Sequence, residues 1–416
     1  MEEWKEYRLG DIIEIKSGFA YKGDMIGYGE NILLGMGCVS YKERFLMSGA
    51  RTYAGNCADR YCANSGDIVL ATRQQSDNLP ILGMPAIIPN ELSKKRIIIG
   101  ANLYRVDNES DFSNEYIYWL LKTPLYVNHI RSCQSGTTVR MITKANIEDF
   151  RFKAPGRKER DRISTFLKTL DNKIEVNRRI NDNLEQQAQA LFKSWFVDFE
   201  PFKNQPFVES ELGMIPQGWR VGTLGDICVT NKRTYKGDFV SEIEYIDTGC
   251  VTNNIIDTPQ ILNPAIDKIP SRARRAVTEG DIIYSSVRPN QRHYALLFNP
   301  SSNTVVSTGF VVITANWSGY RYYIYQYLIQ DEIVNKLQAI AEQSVSTFPS
   351  LNASDLTNLK IVIPPNDVVG DFAALNCSFI TQINKKQQES RRLAELRDTL
   401  LPRLMSGELK VNDVDA

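Results

Sequence analysis

Histidine is almost missing from this chain of 416 residues, which has only His129 and His293. A histidine-based catalytic triad or metal cluster is therefore nearly excluded, and we expect His129, in a helical run, to be packed or exposed. The chain also lacks the Asn/Asp-Pro-Pro-Tyr/Phe motif of amino-methyltransferases and a Gly-x-x-x-x-Gly-Lys-Ser/Thr loop for ATP phosphates. We therefore expect a protein that is not an enzyme, with no catalytic residues, no metal and no cofactor of its own.

Paired cysteines and long apolar runs are missing as well. The seven cysteines are odd in number and form no Cys-x-x-Cys pair, which favours buried or incidental thiols over disulfides or zinc: Cys38, Cys57, Cys62, Cys133, Cys228, Cys250 and Cys377. No stretch of about 20 apolar residues could span a bilayer, and the start "MEEWKEY" lacks the layout of a signal peptide. We expect a cytoplasmic protein.

The chain has no net charge, because 49 Lys and Arg balance 49 Asp and Glu. This balance argues against a globally basic nucleic-acid binder, although a local basic surface can coexist with a neutral total. Composition therefore leaves the partner open. The length exceeds the usual range of roughly 100 to 200 residues for one domain, so two or more domains are expected.

The sequence does contain a long internal repeat. "YRLGDI" (7–12) returns as "GTLGDI" (222–227), and "YKGD" occurs at 21–24 and 235–238. "SGDIVLATR" (65–73) matches "EGDIIYSSVR" (279–288), and "QSGTTVRMITKANIEDFRF" (134–152) matches "QSVSTFPSLNASDLTNLKI" (343–361). The distance in sequence between the two copies is far longer than a solenoid unit, which has roughly 20 to 50 residues. The pattern indicates a tandem duplication of a whole domain with its tail.

Each copy mixes strand and helix signals. Short apolar runs such as "GDIVLATR" and "NTVVSTGFVVITA" predict strands, and "NEYIYWLLKTPLYVNHI" (114–130) and "GYRYYIYQYLIQDEIVNKLQAI" (319–340) predict helices. The predicted class is α+β, with two tandem mixed α/β domains. We place the first domain at 1–154, a long helix at 155–202, a linker and second domain at 203–363, and a second long helix with a tail at 364–416.

Both long helices carry a coiled-coil seam, with steps of four and three residues. The predicted pairing residues are Ile163, Leu167, Leu170, Ile174, Leu184, Leu191, Phe372, Phe379, Ile383, Leu393 and Leu400. Two such stripes predict an antiparallel coiled coil with pseudo-twofold symmetry, and the alternative is that each helix docks on its own domain. Pro402 is expected to kink or stop the second helix.

An aromatic cluster closes the first long helix at "LFKSWFVDFEPF" (191–202). Its members Trp195, Phe196 and Phe199 either dock a partner protein or attach the helix end to the following domain. The sequence leaves both alternatives open.

These features together resemble the DNA-specificity (S) subunits of Type I restriction-modification systems. The resemblance rests on the duplicated domain-plus-helix plan, the paired "LGDI" and "GDI" signatures, "FKSWFVDFEPF" (192–202), "IPQGW" (215–219) and "LLPRLMSGEL" (400–409). It implies two target recognition domains that each read half of a bipartite, asymmetric site in double-stranded DNA, with the helices as a ruler. It also implies methyltransferase (modification) and ATP-dependent restriction subunits as partners, with S-adenosylmethionine, ATP and Mg on those subunits and no membrane.

Polar loops at equivalent places of the two copies are the candidate DNA contacts. Arg and Lys suit guanine, Asn and Gln suit adenine, and hydroxyls with Arg suit phosphates. The candidates are Arg73, Gln74 and Gln75 with Arg288, Asn290, Gln291 and Arg292; Thr137, Thr138 and Arg140; and then Lys22 and Lys236. Solvated loops without any DNA role are the alternative for each residue, and a protein-interaction adaptor with duplicated binding domains is the alternative for the chain.

Overall fold

The computed structural model describes residues 4–74, 80–237, 242–344 and 349–413. Internal contacts divide the chain into a first unit, Met1–Glu175 with Ser390–Ala416, and a second unit, Val176–Glu389. Each unit therefore contains one copy of the repeat and one part of each long helix. This division differs from the predicted one, in which each helix was a segment of its own.

In the first unit, the described residues before the first long helix form twelve strands and three short α-helices. The strands are β1 (Lys5–Arg8), β2 (Ile13–Ser17), β3 (Ile26–Leu34), β4 (Ala50–Tyr53), β5 (Cys62–Ala63), β6 (Ile68–Ala71), β7 (Arg73–Gln74), β8 (Pro85–Ile87), β9 (Ile97–Ile99), β10 (Leu103–Asn108), β11 (Arg140–Met141) and β12 (Arg151–Ala154). The helices are α1 (Asn114–Leu120), α2 (Pro124–Cys133), α3 (Lys144–Glu148) and α4 (Arg157–Phe196).

Two four-stranded sheets form the body of the first unit, in the orders β2-β10-β6-β8 and β4-β3-β9-β5. β3 and β9 run parallel, whereas the other pairs in these sheets are antiparallel. Isoleucine fills the buried central strand β9, because a strand covered on both faces reads as a continuous apolar run. Separately, β1 pairs with β12 and β7 pairs with β11.

The described residues after α4 form fourteen further strands and four helices, of which the last, α8, extends into the first unit. The strands are β13 (Phe207–Ser210), β14 (Gly213–Pro216), β15 (Arg220–Thr223), β16 (Cys228–Thr230), β17 (Ile243–Ile246), β18 (Val251–Thr252), β19 (Ile255–Ile256), β20 (Gln260–Leu262), β21 (Ala273–Ala276), β22 (Ile282–Ser285), β23 (Tyr294–Leu296), β24 (Thr304–Ser307), β25 (Phe310–Ala315) and β26 (Lys360–Ile363). The helices are α5 (Tyr320–Leu328), α6 (Asp331–Glu342), α7 (Ala353–Thr357) and α8 (Asn366–Ser406).

The sheets of the second unit have the same order as those of the first. They run β16-β25-β22-β23 and β20-β17-β24-β21, again with one parallel pair, β17 with β24. β15 pairs with β26 as β1 pairs with β12, and β13 and β14 form a hairpin in the linker. The predicted class, two mixed α and β domains each followed by a long helix, is confirmed.

The repeated "LGDI" is a structural junction. Leu9 and Leu224 each begin a short 3-10 helix after the first strand of their copy, and both are fully buried. Their backbone N–H groups donate to the carbonyls of Phe150 and Leu359, at 2.8 and 2.9 Å. The motif therefore joins the start of each copy to its end.

The repeated "GD" before a buried strand is a tight turn. Gly66 and Gly280 have φ of +87° and +78°, a conformation that glycine adopts without steric cost. The neighbouring carboxylates of Asp67 and Asp281 accept the N–H groups of Asn64 and Thr278, both at 2.8 Å. Turn chemistry alone therefore explains why this pair recurs.

Each predicted helical run inside the two copies is divided into two helices. In the first unit, α1 ends at Leu120 and α2 begins at Pro124. Thr123 caps α2 by accepting the N–H of Tyr126, and proline is well placed in the first turn because no N–H is needed there. The run in the second unit divides in the same way between α5 and α6.

The two long helices pair in the first unit through a buried ion pair. Arg397 Nη1 of α8 donates to Asp171 Oδ1 of α4 at 2.5 Å, and the two side chains are 7% and 5% exposed. Ile163 and Leu167, which precede Asp171, share one core with Leu404, which follows Arg397. The helices are therefore antiparallel in this unit.

In the second unit the helices pair through an amide and an aromatic contact. Asn177 Nδ2 donates to Glu389 Oε2 at 3.1 Å, and Phe196 lies 4.7 Å from Phe372 between ring centroids. The order along α4 is again opposite to that along α8, so the pairing is antiparallel. The other predicted pairing positions are buried or half-buried: Leu170, Ile174, Leu184, Leu191, Phe379, Ile383, Leu393 and Leu400.

Pro402 does not end the second long helix, which was one of the two effects expected from its ring. α8 continues through Pro402 to Ser406. Leu401, Leu404 and Met405 around the proline are all buried in the core of the first unit. Burial of these side chains offsets the loss of one backbone hydrogen bond near the end of the helix.

We expect Arg397→Met to destabilise the first unit by about 3 kcal/mol, because it removes the nearer partner of the buried Asp171 carboxylate and leaves only Arg44 Nη1, at 3.7 Å from Oδ2. Asp171→Leu combined with Arg397→Met should restore most of this loss, since an apolar pair carries no desolvation cost. Hydrogen exchange of the amides in the α8 part of the first unit measures the effect. Equal destabilisation in the single and double variants would contradict a cost from the unpaired charge.

We expect the second unit to become less stable as the pH rises, because of one buried carboxyl group. Burial raises the pKa of Glu185, whose Oε1 accepts the Tyr325 hydroxyl at 3.1 Å, from 4.5 to about 7. The folded state therefore loses stability between these two pKa values as the carboxyl ionises. Glu185→Gln, which still accepts that bond, should stabilise the unit by about 1 to 2 kcal/mol at pH 8 and by nearly nothing at pH 4. Hydrogen exchange of α5 at both values checks this, and an equal gain at both would refute it.

Candidate nucleic-acid interface

The two polar loops predicted in the first copy lie side by side. β7 and β11 form a short antiparallel ladder that places Arg140 opposite Gln74 and Met141 opposite Arg73. The loops are more than 60 residues apart in the chain, and no sequence pattern predicts that they pair. The ladder therefore creates one continuous polar edge in the first unit.

Side chains on this edge differ in what they offer to a ligand. Arg73, Thr137 and Thr138 are exposed, and Arg140 is half-buried. Gln74 is only 7% exposed and its Oε1 accepts the N–H of Leu82 at 3.3 Å, so it supports the loop from inside. The predicted contact Gln75 lies outside the described residues.

One hydrogen-bond pattern anchors this edge in both units. In the first unit, Thr72 N–H donates to Asn102 O at 3.1 Å, and its carbonyl accepts Ile142 N–H at 3.2 Å. In the second unit, Ser286 N–H donates to Gly309 O at 2.8 Å, and its carbonyl accepts Leu351 N–H at 2.7 Å. The framework under the loops is the same in the two copies.

The loop of the second unit is held in an unusual backbone conformation. A short 3-10 helix, Pro289–Gln291, lies between Arg288 and Arg292, whose φ angles are +50° and +56°. Left-handed backbone at a residue other than glycine costs free energy and concentrates at functional sites. Arg288 N–H donates to Pro349 O at 3.1 Å. This bond joins the loop to the residues just before α7, as the β7–β11 ladder joins two loops in the first unit.

Most of the predicted contacts in this loop face solvent. Arg288, Asn290 and Gln291 are exposed, whereas Arg292 is half-buried and its Nη2 lies 2.6 Å from Asp331 Oδ1. The hydrogen bond to Asp331 raises the pKa of Arg292 above its ordinary value. Binding of DNA by Arg292 would therefore compete with an existing ion pair.

The two "YKGD" lysines are exposed and lie on fixed backbone. Lys22 N–H donates to the Tyr53 hydroxyl at 3.3 Å. Lys236 follows Tyr235, whose N–H donates to Arg274 O at 2.8 Å. The roles of all these residues in DNA binding stay predictions.

One basic segment was missed by the sequence reasoning. Arg272, Arg274 and Arg275 lie on and just before β21, next to the second "YKGD" segment. Three arginines within four residues were a visible signal. They were not among the candidates because the candidates were chosen from places that recur in both copies, and this segment does not recur in the first.

The aromatic cluster at the end of α4 is used inside the second unit. Phe196 is 6% exposed and lies 4.8 Å from Tyr323 and 5.9 Å from Trp219 between ring centroids. Phe199 lies 5.5 Å from Trp219, and Trp195 is half-buried. These contacts attach the helix end to the following domain, which was one of the two alternatives. A partner-docking role for Trp195, Phe196 and Phe199 stays a prediction.

Other chemistry is sparse in the part of the chain that the structure describes. His129 Nε2 lies 2.7 Å from Asn146 O, which is a structural contact. Within the described ranges, no group of three His, Cys, Asp or Glu side chains could hold a metal ion. No helix among those residues is both long and apolar enough to cross a membrane.

Comparison with known proteins assigns the family. The profile of the Type I restriction modification DNA specificity domain matches residues 1–186 and 216–389. The Type I restriction enzyme MjaIX specificity subunit of Methanocaldococcus jannaschii is 28% identical over 313 residues, covering 72% of this chain and 70% of that protein. The HindI specificity subunit of Haemophilus influenzae is 23% identical over 478 residues, covering 98% of this chain and 100% of that protein.

A solved structure shares the fold. The Type I restriction-modification S subunit from M. genitalium superposes with a TM-score of 0.52 at 15% identity, covering 97% of this chain and 96% of that one. Duplicated mixed α and β domains with exposed polar loops, each completed by paired long helices, define the structural class. The chain belongs to the Type I restriction-modification DNA specificity family, and it is a specificity subunit of that type.

We expect Arg73→Ala and Arg288→Ala to relax recognition at different half-sites. Each should cost about 1 to 3 kcal/mol at one base pair if the guanidinium makes two hydrogen bonds to guanine. Binding competition with single-base variants of the target site measures this. Arg73→Lys and Arg288→Lys, which keep the charge but not the two-pronged contact, are the matched controls. Equal weakening on every sequence would instead assign these residues to phosphates.

Proposed function

We propose that this chain reads a bipartite, asymmetric site in double-stranded DNA on behalf of a Type I restriction-modification complex. Each unit reads one half-site, and the two long helices set the length of the unread spacer. Methyltransferase subunits and ATP-dependent restriction subunits dock on the chain and modify or cleave the DNA. The family gives the role of a specificity subunit, and the division of the site between the two units is our inference.

The observation that carries this proposal is the combination of one framework with two different sets of exposed side chains. Thr72 and Ser286 make equivalent backbone hydrogen bonds under the loops. On top of that framework both units expose an arginine, Arg73 or Arg288, but the second unit also exposes Asn290 and Gln291, whereas Gln74 of the first unit is buried. Two readers of different half-sites need a common scaffold and unlike contact groups.

The exposed groups suit base edges in the major groove. Arginine can donate two hydrogen bonds to guanine, and asparagine or glutamine can donate and accept at adenine. The hydroxyls of Thr137 and Thr138 suit phosphate oxygens, which position a protein without carrying sequence information. A unit with both kinds of group can hold and read DNA.

Catalysis belongs to the partners in this proposal. The chain contributes recognition only, and S-adenosylmethionine, ATP and Mg are bound by the methyltransferase and restriction subunits. The target adenine is flipped into the methyltransferase subunit, since chemistry on a base requires its removal from the stack. Cytoplasmic location follows from this role, because the substrate is the cell's DNA.

Genome-wide mapping of N6-methyladenine tests the proposal. The chain and its methyltransferase partner are expressed together in a host without adenine methylation of its own. We expect one gapped, asymmetric motif to be methylated, and methylation to disappear when the chain is omitted. Methylation that persists without the chain, or a continuous motif without a gap, would overturn the proposal. Binding that is insensitive to salt would favour the protein-interaction adaptor instead, because DNA affinity falls steeply with ionic strength.

A further inference from the structure

The edge strand β21 of the second unit carries an unusual density of positive charge. The arginine segment, which we define as Arg272, Arg274 and Arg275, lies at the end of the sheet β20-β17-β24-β21. Arg272 and Arg274 are exposed, and Arg275 is half-buried. Positive side chains discourage edge-to-edge aggregation, so the charge alone is not evidence of a ligand.

A β-bulge lies within this segment. Ala273 pairs with Ser307 and Arg275 with Val306, so β21 advances two residues while β24 advances one. Arg274 is the extra residue. Bulges bend a strand, increase its twist and re-aim side chains, and they occur often beside functional sites. The bulge therefore distinguishes the arginine segment from an edge strand that is only charged.

The arginines lack acidic partners within the described part of the chain. No carboxylate of those residues forms an ion pair with Arg272, Arg274 or Arg275. Arg274 Nε donates to Ser271 O at 3.2 Å, and Arg275 Nε is buried without an acceptor. Burial also lowers the pKa of Arg275 from its ordinary value. An external anion would supply acceptors to the exposed guanidinium groups of Arg272 and Arg274.

Hydrogen bonds connect the segment to the candidate reading loop. Arg272 O accepts Thr308 N–H at 2.8 Å, and the next residue, Gly309, accepts both the N–H and the hydroxyl of Ser286. Ser286 lies two residues before Arg288. On its other side, the segment contacts the "YKGD" backbone, because Arg274 O accepts Tyr235 N–H at 2.8 Å. The arginine segment therefore lies between two of the predicted DNA contacts.

The first unit has no such segment at the equivalent place. β5 pairs with β9 there as β21 pairs with β24, and both strands precede a "GD" turn. The guanidinium of Arg60 lies over the Tyr61 ring at 4.8 Å, and Arg96 Nη2 lies 2.7 Å from Asp59 Oδ1. The arginines near β5 in the first unit are thus partly paired, whereas those on β21 in the second unit are not.

We propose that Arg272 and Arg274, supported by the half-buried Arg275, bind the phosphate backbone beside the half-site read by the second unit. This inference rests on the proposed DNA-reading function and adds to it a sequence-independent site in one unit. Phosphate is the expected ligand because the exposed guanidinium groups lie beside the candidate reading loop and not on it, and arginine binds phosphate oxygens through two parallel hydrogen bonds. Such contacts position the protein and do not discriminate between sequences.

The salt dependence of DNA binding tests the proposal. Affinity of the full chain for a mixed-sequence DNA duplex is measured between about 50 and 200 mM salt. Because each phosphate contact contributes about 0.9 to the slope of log affinity against log salt, R272A/R274A should reduce that slope by about 1.8. R272K/R274K should keep the slope, since lysine retains the charge that displaces counterions.

Two further arms separate the possible outcomes. K385A/R392A removes two exposed cations from α8, and it should leave the slope unchanged. An equal reduction by this control would assign the effect to net charge and overturn the proposal. If the wild-type chain binds DNA with a steep slope but R272A/R274A does not alter it, the arginine segment has no such role and the DNA-reading function stands. If the wild-type chain has no affinity for DNA, both proposals fail together.

Discussion

Burial of the apolar stripes of the two long helices is the constraint on which the rest of the structure depends. A helix with one apolar stripe is not stable alone in water, so α4 and α8 each complete the core of both units. In the first unit this burial includes the Asp171–Arg397 ion pair, and in the second it includes the Asn177–Glu389 contact. Polar groups inside an apolar seam reduce stability but restrict which registers are possible. The fold of each unit therefore requires both halves of the chain.

Duplication allowed each unit to keep its framework while its exposed edges diverged. The backbone hydrogen bonds at Thr72 and Ser286 are made by atoms that every residue except proline has, so the side chains above them were free to change. The same reasoning explains the paired "GD" turns, in which Gly66 and Gly280 provide a conformation that few other residues tolerate. A recognition protein gains from this separation, because stability resides in the framework and specificity in the loops.

Zero net charge is compatible with DNA binding because electrostatic attraction acts over short distances in salt. The Debye length is about 8 Å at physiological ionic strength. A local group of arginines therefore attracts a nearby phosphate even when the whole chain is neutral. The bulged edge of β21 is such a local group. A neutral total also limits binding to unrelated polyanions, which suits a protein that must select one site.

The sequence alone determined the duplication, the mixed class, the two long helices and their apolar seams, because these depend on local periodicity and on matching segments. Only the tertiary structure decided which polar residues face solvent. Gln74 turned out to be a buried support, Arg292 to be paired with Asp331, and Phe196 to be part of a core. It also joined β7 to β11, and it placed Arg272 beside the reading loop. Exposure and pairing depend on neighbours that are tens of residues away in the chain, and no local pattern carries that information.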